Sequence, residues 1–180
     1  MEIIVTILLI LLSLIALVFI IAIFSPKEYA IEREIIIKKP LIEVFNYLKH
    51  IKNQDYFSKW VMTDPGMKKE FRGVDGCVGF VYAWDSNIKQ AGAGEQEIIK
   101  IEEGKRIDIE VRFLRPFSAI ANTPFITESE ADNQTKVKWG MSSKMKYPLN
   151  IMLLFMNAEK MLGNDMLISL TNLKNILEKN

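Results

Sequence analysis

Ile3–Phe24 is an unbroken apolar run, IIVTILLILLSLIALVFIIAIF, in which Thr6 and Ser13 are the only polar side chains. As a helix it would reach roughly 33 Å at about 1.5 Å per residue, enough for a hydrocarbon core about 30 Å thick. Ser25-Pro26 ends the run and Lys27 begins a chain of mixed polarity. Tyr29–Ile37 (YAIEREIII) alternates and is rich in β-branched residues, which predicts a strand. Pro40 suits the first turn of a helix, and Val44, Phe45, Leu48 and Ile51 follow at helical spacing. A second short helical piece is expected over Gln54–Lys59, before Trp60 and the turn signal Asp64-Pro65-Gly66.

From there to about residue 145 the period is 2. Strands are predicted over Met67–Arg72, Cys77–Asp85, Gly94–Glu102, Lys105–Leu114, Ser118–Glu130 and Thr135–Met145. Cys77–Asp85 puts Val78, Phe80, Tyr82 and Trp84 on one face. Lys105–Leu114 sets Ile107, Ile109, Val111 and Phe113 against Arg106, Asp108, Glu110 and Arg112. Thr135–Met145 sets Val137, Trp139, Met141 and Ser143 against Lys136, Lys138 and Lys144. At Pro148 the period switches to 3.6, and Ala158–Glu178 carries Leu162, Met166, Leu170, Leu173 and Leu177 at helical steps. An antiparallel sheet with one apolar face needs a cover, and only the last helix is long enough to provide it. The expected fold is α+β: a curled antiparallel sheet of about seven strands wrapped on a long C-terminal helix, preceded by one transmembrane helix.

Composition narrows the function. Of the 180 residues 49% are hydrophobic and 25% charged, so the chain is neither disordered nor a many-span membrane protein. Residues 1–26 read as an anchor, and 27–180 as one domain with one core. A formal net charge of +1, with Lys and Arg interleaved among Asp and Glu, argues against nucleic acid as a partner. One cysteine, Cys77, and one histidine, His50, leave little for a disulfide, a metal site or a histidine-based triad, and no cofactor is expected. A cleaved signal peptide is the competing reading of the first segment. Against it stand an n-region without Lys or Arg, an overlong apolar core and no A-x-A-like site. Lys27, Arg33, Lys38 and Lys39 follow the run, so a single-pass protein with its domain on the cytoplasmic side is expected. A monomer is expected.

Several local words, in order, resemble one superfamily. They are Ile35-Ile-Ile-Lys-Lys-Pro40 with Val44-Phe45, then Trp60, Gly76-x-x-Gly79 leading to Trp84, and Gly92-x-Gly94-Glu95. Arg106-Ile107, Phe113-x-x-Pro116-Phe117, Thr135-Lys-Val-Lys-Trp139, Met161-Leu-Gly-Asn-Asp165 and Leu170-x-x-Leu173-Lys174 follow. Over about residues 29–178 the chain resembles the helix-grip fold of the START-like, birch-pollen-allergen-like superfamily, often called SRPBCC, and its polyketide cyclase/dehydrase branch. The resemblance implies a cavity between the curled sheet and the last helix that takes an apolar or amphipathic small molecule. It implies no single reaction, since such folds serve carriers, cyclases, hydroxylase subunits and regulators.

The candidate ligand-binding residues are Tyr82, Trp84, Phe113, Phe125, Trp139, Met141, Leu162 and Met166; the competing reading makes each a core residue. Tyr82, Trp84, Trp139 and Ser143 add polar tips to apolar walls. Glu95 is the one catalytic candidate. A carboxylate in an apolar cavity would be raised in pKa and could exchange protons. Alternation groups Glu95 with Glu97 and Ile99 against Gly94, Gln96 and Ile98 without choosing the inner set. His50 is expected to end the first helix, and Cys77 to be a buried small residue. Lys136, Lys138, Lys144 and Lys146 read as a solvated edge or as a face toward anionic lipid. Leu149–Met156 (LNIMLLFM) either packs at the pocket mouth or touches the bilayer. Two functions follow: a membrane-tethered binding module for a lipid-like or aromatic molecule, or a cyclase- or dehydratase-like enzyme using a pocket carboxylate or tyrosine.

Overall fold

The computed structural model describes residues 2–155 and 157–179, so Met156 of the LNIMLLFM segment lies outside the described residues. Helix α1 (Glu2–Phe24) leads to strand β1 (Glu28–Ile37), then helices α2 (Leu41–Lys49), α3 (Gln54–Phe57) and α4 (Lys59–Met62). Seven strands follow: β2 (Lys68–Arg72), β3 (Val81–Asp85), β4 (Ala93–Glu102), β5 (Arg106–Arg115), β6 (Ala119–Asn122), β7 (Phe125–Ala131) and β8 (Gln134–Lys144). A 3-10 segment, Leu149–Leu154, precedes the long helix α5 (Ala158–Lys179). The eight strands form one antiparallel sheet in the order β1-β8-β6-β5-β4-β3-β2, with β7 paired to both β5 and β8. The α+β helix-grip architecture is the expected one.

Eight strands stand where about seven were predicted, because Ser118–Glu130 is not one strand. Pro124 has no N–H to give the ladder, and the pairing of β6 with β5 ends one residue earlier, where the Thr123 N–H donates to the Ile109 carbonyl at 2.8 Å. The chain then restarts as β7. The start of β3 also moves. Gly76 and Gly79 adopt φ of +84° and +85°, which ends the alternation read through Cys77–Phe80. Val78, expected on the inner face, is exposed, and Cys77, expected to be buried, is exposed as well.

The inner face of β8 presents Thr135, Val137, Trp139, Met141 and Ser143, while Lys136 and Lys138 point out to Glu130 and Glu128. α5 lays Met166, Leu170, Leu173 and Leu177 onto that face. Each fully buried side chain of this kind contributes about 1.5–3 kcal/mol relative to exposure. α5 also fixes the short helices. Ser169 Oγ accepts the Lys59 N–H at 2.9 Å, Asn172 donates to the Phe57 carbonyl at 3.2 Å, and Lys59 pairs with Asp165.

α1 stands outside this core. It is long and apolar enough to cross a membrane, and Ala22 is its single buried residue. Its last turn is nevertheless tied to the domain. The buried Asn150 donates to the Ala22 and Ser25 carbonyls at 2.7 and 3.2 Å, satisfying acceptors that a helix C-terminus leaves open.

Arg33 crosses directly over Gly163 to reach the Glu159 carboxylate at 2.7 Å, and a Cβ at Gly163 would lie 2.1 Å from its guanidinium. Gly163→Ala should therefore displace a flexible side chain and lower the melting point modestly. Gly163→Pro should be severely destabilising, by about 3 kcal/mol or more, because it removes a helical donor and clashes with the preceding turn. Thermal denaturation of both variants checks the order.

Candidate functional site

Beneath α3, α4 and the first turns of α5, the inner sheet face leaves a cavity of about 260 Å³. β3 contributes Tyr82 and Trp84, β4 contributes Gln96, β5 contributes Val111 and Phe113, and β8 contributes Trp139 and Met141. Gln54, Trp60 and Leu162 close it from the helical side. Gly94 makes the Trp84 position possible: a Cβ there would lie 2.8 Å from the indole and 2.6 Å from the Arg112 carbonyl. The indole N–H donates to the Ala91 carbonyl at 2.9 Å, and its ring meets Phe113 edge-on at 6.1 Å.

Six of the eight candidate residues border this space: Tyr82, Trp84, Phe113, Trp139, Met141 and Leu162. Phe125 and Met166 do not border it; both are buried in the surrounding core, Phe125 stacked on Trp139 at 4.8 Å. Ser143, between β1 and β6 near the end of β8, does not border it and donates to the Ile120 carbonyl at 2.6 Å. The walls also include polar residues that were not singled out, Gln54, Ser58, Gln96, Thr123, Tyr29 and Arg115. Gln96 had a signal, since Gly94, Gln96 and Ile98 form the buried set on β4. Gln54 and Ser58 had none, because helices this short establish no period.

The polar groups of the cavity are mostly partnered. Gln96 donates to Gln54 at 3.2 Å. The Tyr82 hydroxyl donates to Asp55 at 2.7 Å, and Asp55 pairs with Lys69 at 2.8 Å. Burial first, and the Asp55 carboxylate second, push the Tyr82 pKa far above that of a free phenol, so the hydroxyl is a neutral group with its proton committed. Burial likewise raises Tyr29, while a hydrogen bond with Ser143 acts in the opposite sense. The Trp139 N–H is buried without a partner. Arg115 is the one charged wall residue, and it pairs with Asp85 at the rim. Among the described residues no cluster of His, Cys, Asp and Glu is arranged to hold a metal ion.

Glu95 faces away from the cavity. Arg72, and then Arg112 at 2.9 Å, bind its carboxylate on the outer face and hold its pKa below the ordinary value, the reverse of what a pocket acid needs. His50 ends α2, its Nδ1 2.8 Å from the Asn46 carbonyl.

No protein-family profile matches the chain, and no curated protein does. Solved structures do. Ara h 8.0201 is 15% identical over 85% of this chain and 99% of its own, with a TM-score of 0.56. A truncated norcoclaurine synthase from Thalictrum flavum is 10% identical over 87% and 97%, with a TM-score of 0.66. The di-domain ARO/CYC StfQ from the steffimycin biosynthetic pathway is 8% identical, covering 85% of this chain and 51% of its own, with a TM-score of 0.64. At these identities the likeness establishes the fold.

A carboxyl held below its ordinary pKa stabilises the folded state above that value and loses the contribution as pH falls through the folded value. Glu95→Gln should accordingly flatten the loss of melting temperature between neutral pH and about pH 3. A pocket acid with a raised pKa would give the opposite slope, with wild type gaining relative stability on acidification.

Proposed function

We propose that the chain is a membrane-tethered binding module for an apolar or amphipathic small molecule, with residues 1–26 as a retained anchor and 27–180 as the ligand-binding domain. The observation that carries this reading is the cavity itself: aromatic and thioether walls, partnered amides, and no carboxylate or histidine lining it. Small-molecule sites have this composition. A volume of about 260 Å³ suits one or two rings or a short acyl segment, since a cavity of about 150 Å³ admits benzene. It is too small for a two-chain lipid.

Retention of the anchor is supported by Asn150. Its side chain is fully buried and bonded to carbonyls of the last turn of α1, so cleavage after that turn would strip a buried amide of its partners. The basic residues following the helix favour a cytoplasmic domain, and a monomer suffices for the site. The SRPBCC resemblance and the fold neighbours, whose names include a synthase and an ARO/CYC protein, support a ligand-binding cavity. They also keep the cyclase-like alternative in view. That alternative would rest on Tyr82, whose committed proton and raised pKa suit it for orienting a substrate rather than for acting as a base.

Native mass spectrometry of the full chain released from mild detergent tests the binding reading. Wild type should carry a small-molecule adduct, or take up an added naphthalene-type dye. Leu162→Trp, which extends a half-buried side chain into the void, should lower occupancy at least severalfold with little change in melting point. Bare protein mass for wild type under both conditions would overturn it. Separately, the chain should remain in the membrane pellet after alkaline carbonate washing, and a mature N-terminus near residue 26 would overturn the anchor alone.

A further inference from the structure

We propose that the mouth of the cavity lies on the bilayer, so that the ligand passes between lipid and cavity without crossing bulk water. The inference rests on the anchored, ligand-binding reading above. It adds a surface and a route: Tyr147–Phe155 and the β5–β6 turn seat in the lipid interface.

The depth follows from contacts with α1. Phe19 lies five residues before the end of that helix, about 7.5 Å back along its axis. Tyr147 packs on Phe19 with ring centroids 6.0 Å apart, and its hydroxyl lies 3.4 Å from the Phe19 carbonyl. A helix that fills the hydrocarbon core therefore holds Tyr147 several Å inside the edge of that core, just beneath the boundary where tyrosine is enriched. The 3-10 segment that follows is fixed beside the last turn of α1 by Asn150.

The sheet register puts the cavity mouth at that same end. Glu28, which begins β1 just after α1, pairs with Lys144, and Ala121 two residues into β6 pairs with Ser143. The β5–β6 turn thus projects beside the anchor, and Ala93 pairing with both Asp85 and Arg115 brings the β3–β4 turn alongside it. Gln90, Ala91, Arg115 and Pro116, on these two turns, are cavity wall residues. Tyr29 joins the cavity to an outer groove whose other walls include Leu154 and Phe155.

This end carries exposed apolar side chains on the Leu149–Phe155 segment and around the β5–β6 turn, beside the charged Glu28 and Lys144 and the polar β3–β4 turn. Phe155 is 83% exposed and Phe117 72%, with Leu114, Ile120 and Leu149 also exposed. At the opposite end the turns read Lys38-Lys39, Glu103-Gly104-Lys105 and Asp132-Asn133, with Ile42, Val74 and Val78 as exposed exceptions. Apolar side chains held at an interface beside a spanning helix lie in it.

The test uses the full chain with Cys77→Ser and a single cysteine at Phe155→Cys, Phe117→Cys or, at the far end, Asp132→Cys. Each is labelled with an environment-sensitive dye and reconstituted into phosphatidylcholine–phosphatidylglycerol vesicles containing spin-labelled lipid. Labels at 155 and 117 should shift to the blue and be quenched severalfold more than the label at 132. Equal quenching at all three, in protein that stays in carbonate-washed membranes, overturns this inference and leaves the anchor intact. A blue-shifted label at 155 that lipid does not quench means a protein covers the patch, and also overturns it. Loss of the chain from washed membranes overturns the anchor and this inference together. The route has its own measurement. Phe117→Asp with Phe155→Asp should slow uptake of a naphthalene-type fatty acid from vesicles severalfold while leaving occupancy in detergent unchanged. Unchanged uptake would overturn the route even where the labels are buried.

Discussion

A curled sheet of eight strands has one apolar face, and a single long helix must cover it. α5 runs beside β1, from Glu159 at Arg33 to the contacts of Lys174 and Glu178 with the backbone of Ile36 and Lys38. It therefore covers the β1–β8 side of the face. The β3–β5 side is left to α3 and α4, eight residues in all, which are held against α5 by Ser169, Asn172 and Asp165. Elements this short do not fill the space above a strongly curled sheet. The cavity is the unfilled remainder, and its floor is apolar because the same alternation that makes a core makes the floor.

That origin explains the chemistry of the walls. Ions are placed on the outer face, where Arg112 holds Glu95, Glu97 and Glu110 in one web that water still reaches. On the inner face an unpaired charge would carry a desolvation cost of several kcal/mol, and the chain puts phenol, amide and indole groups there instead. Asp55 is the nearest carboxylate behind the wall, and it is neutralised twice, by the Tyr82 hydroxyl and by Lys69. Such walls offer shape and a few directed hydrogen bonds, and their titratable groups are the phenols of Tyr29 and Tyr82 and the guanidinium of Arg115.

Much of the fold was legible because long alternating or helical runs carry their own period. β5, β8 and α5 were placed within a residue or two, and their inner faces gave Val111, Phe113, Trp139, Met141 and Leu162. The failures sit where backbone geometry overrides side-chain alternation. Gly76 and Gly79 at positive φ turned Cys77 and Val78 outward, and Pro124 divided one predicted strand into two. Glu95 was ambiguous for a different reason: a Gly-Glu-Gln-Glu stretch has no apolar member to mark a face. Phe125 and Trp139 were indistinguishable in sequence, since both face inward, and only their stacking determines which one reaches the cavity. Asn150 was invisible within an apolar segment, because its partners are main-chain carbonyls 125 and 128 residues away.

Asn150 is also where the two parts of the chain become one device. A flexible linker after α1 would let the domain sample every orientation above a membrane, and the cavity would meet its ligand through water. Here Lys27 separates the Ser25-Pro26 corner from the start of β1, and the Lys27 carbonyl accepts the Met145 N–H at 2.8 Å, so strand pairing begins where the helix ends. Asn150 then clamps the corner from the other side. Such a joint fixes one end of the sheet beside the end of α1, which in the proposed anchored form is the end toward the bilayer where an apolar ligand would concentrate. Tethering acts as an effective concentration only when geometry lets both partners engage at once. The short joint would supply that geometry in the proposed anchored binding module, where the buried amide would serve ligand capture alongside the aromatic walls.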